Sequence, residues 1–239
     1  MRRSFAVAVL IAALGAAPAH AVDLGSALKA LGVDKKASLG GTRVGQGLKE
    51  ALRVGVDRAV QLAGKKDGYL GNSAIKIAMP EKLRLAEGLM RKVGLGGQVD
   101  QLVLSMNRSA EAAAPHARDI FIDAITDMSI EDAEGLLKGG DTAATDYFRR
   151  KSSARLAEVY RPVVARTMSQ YGVTAQYQAL MAKYQALPLA RRLPLPSIED
   201  YTVNKALDGL YTVLGQEERR IRVDPGARAT ALLKEVFAS

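Results

Sequence analysis

The sequence predicts an all-α fold: a single multi-helix domain of about eight helices, two of them long and proline-kinked, plus one short extended segment. Three observations lead there. Apolar residues recur in steps of three and four over most of the chain, the spacing that places them on one side of a helix. Aromatic residues are only 5% of the 239, with no Trp, so aliphatic helix faces rather than sheet aromatics must fill the core. Helix-capping patterns and glycines punctuate the periodic runs.

Residues 1–21 have the pattern of an export signal. Arg2 and Arg3 precede an apolar run from Phe5 to Ala17, and Ala19-His20-Ala21 is a small-x-small cleavage site. The run, about 13 residues, is shorter than the roughly 20 that span a bilayer. Cleavage near Ala21 is therefore expected, giving a periplasmic or secreted product with no transmembrane span. Residues 22–41 are expected to form a flexible leader with one helical candidate, Leu24 to Leu31. Residues 42–239 are expected to form the helical domain. Glycines 40, 41, 45 and 47 do not complete a phosphate-binding loop, because no Gly-Lys-Ser/Thr follows and position 50 is Glu.

Thr42 caps the first predicted helix, which buries Leu48, Leu52, Val56, Ala59 and Val60 and ends at Gly64. The turn pairs Asp67-Gly68 and Gly71-Asn72 follow. Ile75, Ile77 and Met79 then alternate with Lys76 and Ala78, the strand-like piece of the chain. With no partner strand in sight, this piece is expected to cross helices. Pro80 opens a helix to Val93, closed by Gly94. From Gln98 to Asp127 the stripe Val99, Leu102, Met106, Ala110, Ala113, Ala117, Ile120, Phe121, Ala124, Ile125 and Met128 keeps phase through Pro115, which predicts one kinked helix.

Ser129 and Asp132 form a capping box for a short helix, Ile130 to Lys138, stopped by a left-handed Gly139. Asp141 and Thr142 offer the next N-cap. The helix they open runs past Pro162 with Leu156, Val159, Tyr160, Val163, Val164, Thr167, Met168 and Tyr171 in phase, and Gly172 ends it. A further helix is predicted from Val173 to Leu187, then a proline-rich linker from Ala190 to Ser197. Ser197 and Asp200 open a helix through Leu207, Leu210, Tyr211 and Leu214. Asp224-Pro225 starts a terminal one carrying Leu232, Leu233 and Val236.

The residue inventory excludes much chemistry. There is no Cys, and of two His only His116 survives signal removal, so a His/Cys metal site cannot be assembled, and a Ser-His-Asp set would depend on His116 alone, beside Pro115, with no Gly-x-Ser-x-Gly elbow in the chain. No cofactor and no metal is expected. The net charge is +9, and +7 once residues 1–21 with their two arginines are removed; export points away from nucleic acid, and the charge either suits an anionic envelope component or another envelope protein or serves solubility alone. Candidate binding residues are Asn107 and Glu111, an i, i+4 polar pair at the edge of an apolar stripe whose other reading is buried structural hydrogen bonding, together with Asp127, Tyr147, Arg149 and Arg150. Cations beside aromatics are suited to a phosphate or lipid head group. A second basic group is Arg219, Arg220 and Arg222. Asp119, Asp123 and Asp127 lie along one helix side, where paired carboxylates would be needed for acid/base work.

Five stretches occur in order: GLKEALRVGVDRAV at 47–60, DGYLGNSAIKIAMP at 67–80, MNRSAEAA at 106–113, MSIEDAEGLLKGGDTAATDYF at 128–148, and ALDGLYTVLGQEERRIR with DPGARATALLKEVF near the end. In these the chain resembles the domain of unknown function numbered four-one-nine-seven, a set of exported envelope proteins. The resemblance covers residues 42 to 238. It implies an envelope location and one helical domain, and it brings no catalytic residues. Some members carry a lipid-anchor Cys, which this chain lacks. Residues and resemblance together favour a non-catalytic binding or scaffold module. The alternatives are a peripheral binder of anionic lipid or lipopolysaccharide and, more weakly supported, a carboxylate-dependent hydrolase.

Overall fold

The computed structural model describes residues 35–92, 94–172, 177 and 197–224. The signal, the candidate helices at 24–31, 173–187 and after Pro225, and the linker at 190–196 lie outside the described residues, apart from Tyr177, which is helical and buried. The chain divides between Gly40 and Gly41, and residues 41–239 form one compact unit. Every regular element among the described residues is helical.

The first helix, α1, spans Lys35–Gly64, so it begins before Thr42 instead of being capped there. Its expected face is buried, from Leu48 to Val60. After a turn, residues 76–80 run without regular structure, and Ile75, Ile77 and Met79 point inward while Lys76 and Ala78 point out. Pro80 precedes a 3-10 turn, Glu81–Leu83, that leads into α2, Arg84–Lys92. Gly94, at φ +84°, makes the left-handed reversal that a residue without Cβ adopts most readily.

The stripe from Val99 to Met128 is buried as its periodicity requires, except Ala124, which is half-buried. The structure divides it, however, into α3, Gly96–Ala113, a 3-10 turn, Ala114–His116, and α4, Ala117–Thr126. Pro115 is the reason. It lacks the N–H that an α-turn needs and sits at the start of a tighter one, and the backbone resumes in phase beyond it. Helix α5, Ile130–Lys138, carries the full capping box. Ser129 Oγ accepts from Asp132 N at 3.0 Å, and Ser129 N donates to Asp132 Oδ2 at 3.2 Å. Its stop differs from expectation. Gly139 is extended (φ −75°, ψ 175°), and what its missing Cβ spares is a 2.6 Å clash with Ala143 Cβ.

Helix α6, Ala143–Gln170, contains Pro162 without ending there. It packs against α3, α4, α5 and α7, Ile198–Val223. Leu156, Tyr160, Val164 and Met168 are buried in steps of four, while Val159 and Val163 flank them and Tyr171, at 39% exposure, leaves the stripe. Phe121, Phe148 and Tyr211 stack at its centre, with Phe121 centroids 5.1 and 6.0 Å from the other two. Tyr211 also hydrogen-bonds Ser152 Oγ at 2.9 Å, fixing α6 against α7.

Tyr160 is fully buried, and its hydroxyl has no hydrogen-bond partner among the described residues. A hydroxyl removed from water without a partner costs on the order of 1–3 kcal/mol. Tyr160→Phe is therefore expected to leave the unfolding free energy unchanged or to raise it by about 1 kcal/mol. Urea denaturation reads this directly, and a loss of stability would contradict it.

Burial also pushes the Tyr69 and Tyr160 hydroxyls well above the ordinary tyrosine range. A raised folded value means that the unfolded chain releases these protons first. Stability from them is complete below about pH 10 and is lost as pH rises beyond it. Alkaline unfolding should thus show tyrosinate absorbance from these residues appearing together with the loss of helical dichroism. Tyrosinate from them in a still-helical protein would refute the assignment.

Candidate functional site

Asn107 and Glu111 lie one turn apart on α3, both buried, and both face the irregular segment between α1 and α2. The Asn107 amide holds Ile77 in the manner of a neighbouring strand. Its Oδ1 accepts from Ile77 N at 2.9 Å, and its Nδ2 donates to Ile77 O at 2.8 Å and Val103 O at 2.7 Å. Glu111 Oε1 accepts from the backbone N–H groups of Tyr69 and Leu70, each at 3.1 Å. Its Oε2 takes Arg108 Nη1 at 2.6 Å, and Arg108 Nη2 reaches Asp67 at 2.8 Å. The Tyr69 hydroxyl donates to Ala206 O at 2.6 Å, and its ring lies against Gly209, where a Cβ would come within 2.5 Å of Tyr69 Cε1. These two polar residues act as fasteners for residues 67–79.

A second buried carboxylate was not anticipated from the sequence. Glu218, from α7, caps the start of α6. Its oxygens accept from Ala144 N at 3.0 Å, Thr145 N at 2.9 Å and Thr145 Oγ1 at 2.8 Å. Thr142, the expected cap, makes no side-chain capping bond. Arg222 bonds Glu218 Oε1 at 2.9 Å and, with the same guanidinium, the Leu136 and Leu137 carbonyls at the end of α5. One Glu–Arg pair thus satisfies the orphan groups of two helix ends at the α5–α6 corner. The signal was present: Glu218 lies four residues after Leu214 and three before Ile221, in phase with the buried stripe.

The remaining candidates are distributed. Tyr147 is buried beside the α4–α5 turn, where its hydroxyl donates to Ala124 O at 3.3 Å. Burial, then the charges of Asp132 and Asp127, raise its pKa, and Arg150 opposes them. Asp127 and Arg150 are both exposed at this corner. Arg149 turns the other way, pairing with Asp208 at 3.1 Å and lying 4.5 Å over the Tyr211 ring. It is Lys151 that approaches Tyr147, at 5.8 Å. The second basic group is largely engaged: Arg220 with Glu217 at 2.9 Å, Arg219 with Asp141 at 3.6 Å, and Arg222 as described. In the acidic row, Asp123 pairs with Arg155 at 2.8 Å and Asp119 with Arg118 at 3.5 Å, all on an exposed face. His116 is exposed. No group of three metal-ligating side chains occurs among the described residues, and none of their helices is long and apolar enough to cross a membrane.

A concave feature among the described residues lies between α2, α3 and the irregular segment, an open cavity of about 490 Å³. Leu70, Ala78, Met79, Val103 and Leu104 supply its apolar wall. Arg91 binds both acids at its edge, Glu87 at 3.1 Å and Asp100 at 2.8 Å, tying α2 to α3. Lys76 and Arg84, also at the edge, are exposed and form no ion pair among the described residues.

A family model described as "Protein of unknown function (DUF4197)" matches residues 38–238. No curated protein and no solved structure matches the chain.

Proposed function

The chain belongs to the DUF4197 family, and from that premise we propose that it is a non-catalytic binding or scaffold module of the cell envelope, exported through residues 1–21 and cleaved near Ala21. The observation that supports this reading is the use made of the buried acids. Glu111 and Glu218 each bind two backbone N–H groups and an arginine, and the third buried glutamate, Glu217, pairs with Arg58 and Arg220, so each of the three is held by the fold. An acid/base pair needs carboxylates that are free to exchange a proton with a substrate. The two acids at the cavity edge are both held by Arg91. Binding asks for less, namely a concave surface that offers apolar wall and fixed polar groups together, and the cleft, lined by five apolar and five charged residues, offers both.

Native mass spectrometry of the protein taken from its own envelope fraction tests the reading. The expected species starts at Val22 and carries a non-covalent ligand or partner that is released unchanged on denaturation. A bare chain, or a ligand converted during incubation, would overturn it.

A further inference from the structure

We propose that the cavity between α2 and α3 takes a single-chain amphiphile, its anionic head between Lys76 and Arg84 and its tail against Val103 and Leu104. This rests on the binding-module reading and gives that module a ligand class. The volume of about 490 Å³ falls in the range of small-molecule sites, roughly 300–1,000 Å³. The charge arrangement selects the head group. Glu87 and Asp100 share Arg91 between them, so the three cations and two acids of the lining sum to +1, with Lys76 and Arg84 the two charges that form no ion pair among the described residues. Two such cations favour an anion and disfavour a cation. The apolar wall excludes a fully hydrated anion as the whole ligand, because Leu70, Met79, Val103 and Leu104 would face it with nothing to bury. The Asn107 bonds to Ile77 and the Tyr201 bond to Ala78 O at 3.0 Å hold this wall in place, so the site is formed before any ligand arrives.

Calorimetric titration of the full purified chain with laurate, dodecyl phosphate, dodecanol and inorganic phosphate decides the matter. At least one of the two anionic amphiphiles is expected to bind saturably at one per chain, and whichever head binds better distinguishes a fatty acid from a phosphate-headed lipid. Dodecanol and inorganic phosphate should each bind at least about tenfold more weakly. The double variant K76E/R84E, at two exposed positions, should weaken amphiphile binding by about tenfold or more without lowering the melting temperature. Leu104→Trp should occlude the tail site, and a control reversal at an exposed position of α6, R166E, should leave binding unchanged. Absence of saturable binding by both anionic amphiphiles, equal binding of dodecanol, or indifference to K76E/R84E would overturn the proposal. Such a failure, with a ligand still present on the native protein, removes the cavity assignment alone. A bare native protein removes the binding-module reading.

Discussion

Replacing Glu218 with alanine is expected to lower the unfolding free energy by about 3–5 kcal/mol, the range found when one partner of a buried ion pair is deleted. The loss has two sources. The N–H groups of Ala144 and Thr145 at the start of α6 lose their acceptor. Arg222, itself 13% exposed, loses the carboxylate that orients it toward the α5 carbonyls. Glu218→Gln separates the two. Its carbonyl oxygen can still accept one backbone N–H while the charge is gone, so its cost should fall clearly below that of alanine. Urea denaturation gives the order, and amide exchange at Ala144 and Thr145 should accelerate in both variants. An alanine variant that costs less than about 1 kcal/mol would show that the corner is held by something else.

Glu111→Ala should come second, at about 3 kcal/mol. It orphans the N–H groups of Tyr69 and Leu70 and leaves Arg108 with Asp67 alone among its described partners. Because Asn107 fastens the same segment, the double variant with Asn107→Ala should cost less than the sum of the two singles. Limited proteolysis between residues 67 and 80 should quicken in the single variant and more so in the double. Strict additivity, or cleavage elsewhere first, would show that the two side chains act independently of this segment.

The periodic stripes were legible because burial repeats with the helix: Val99 to Ile125 and Leu48 to Val60 lie inward as their spacing requires. The Ser129 capping box was legible because both partners are three residues apart. What escaped was every interaction whose partner lies far along the chain. Asn107 and Glu111 could be singled out as polar residues on an apolar stripe. Their partners at Ile77 and Tyr69, 30 and 42 residues away, carry no local mark. Glu218 was lost in the charged run that contains Glu217, Arg219 and Arg220, although its phase put it inside. Thr142 had the right side chain for a cap, but a carboxylate from α7 occupies that role. Gly139 illustrates a further limit: a glycine signals that the chain bends or is crowded, and only the fold says which. The cavity had no signature at all, since its wall and its cations come from three separate stretches.

The segment from Lys76 to Met79 has the alternation of a β-strand, and it has no sheet to join among the described residues. A solitary strand normally offers two rows of open backbone groups to any passing chain. Here Ile77 has both of its groups closed by the Asn107 amide, Ala78 O is closed by Tyr201, and Lys76 N donates to Asn72 O at 2.8 Å. Three substitutes for a neighbour thus keep a sticky ribbon from templating fibrils or recruiting a second molecule edge to edge, with no sheet among the described residues to shield it.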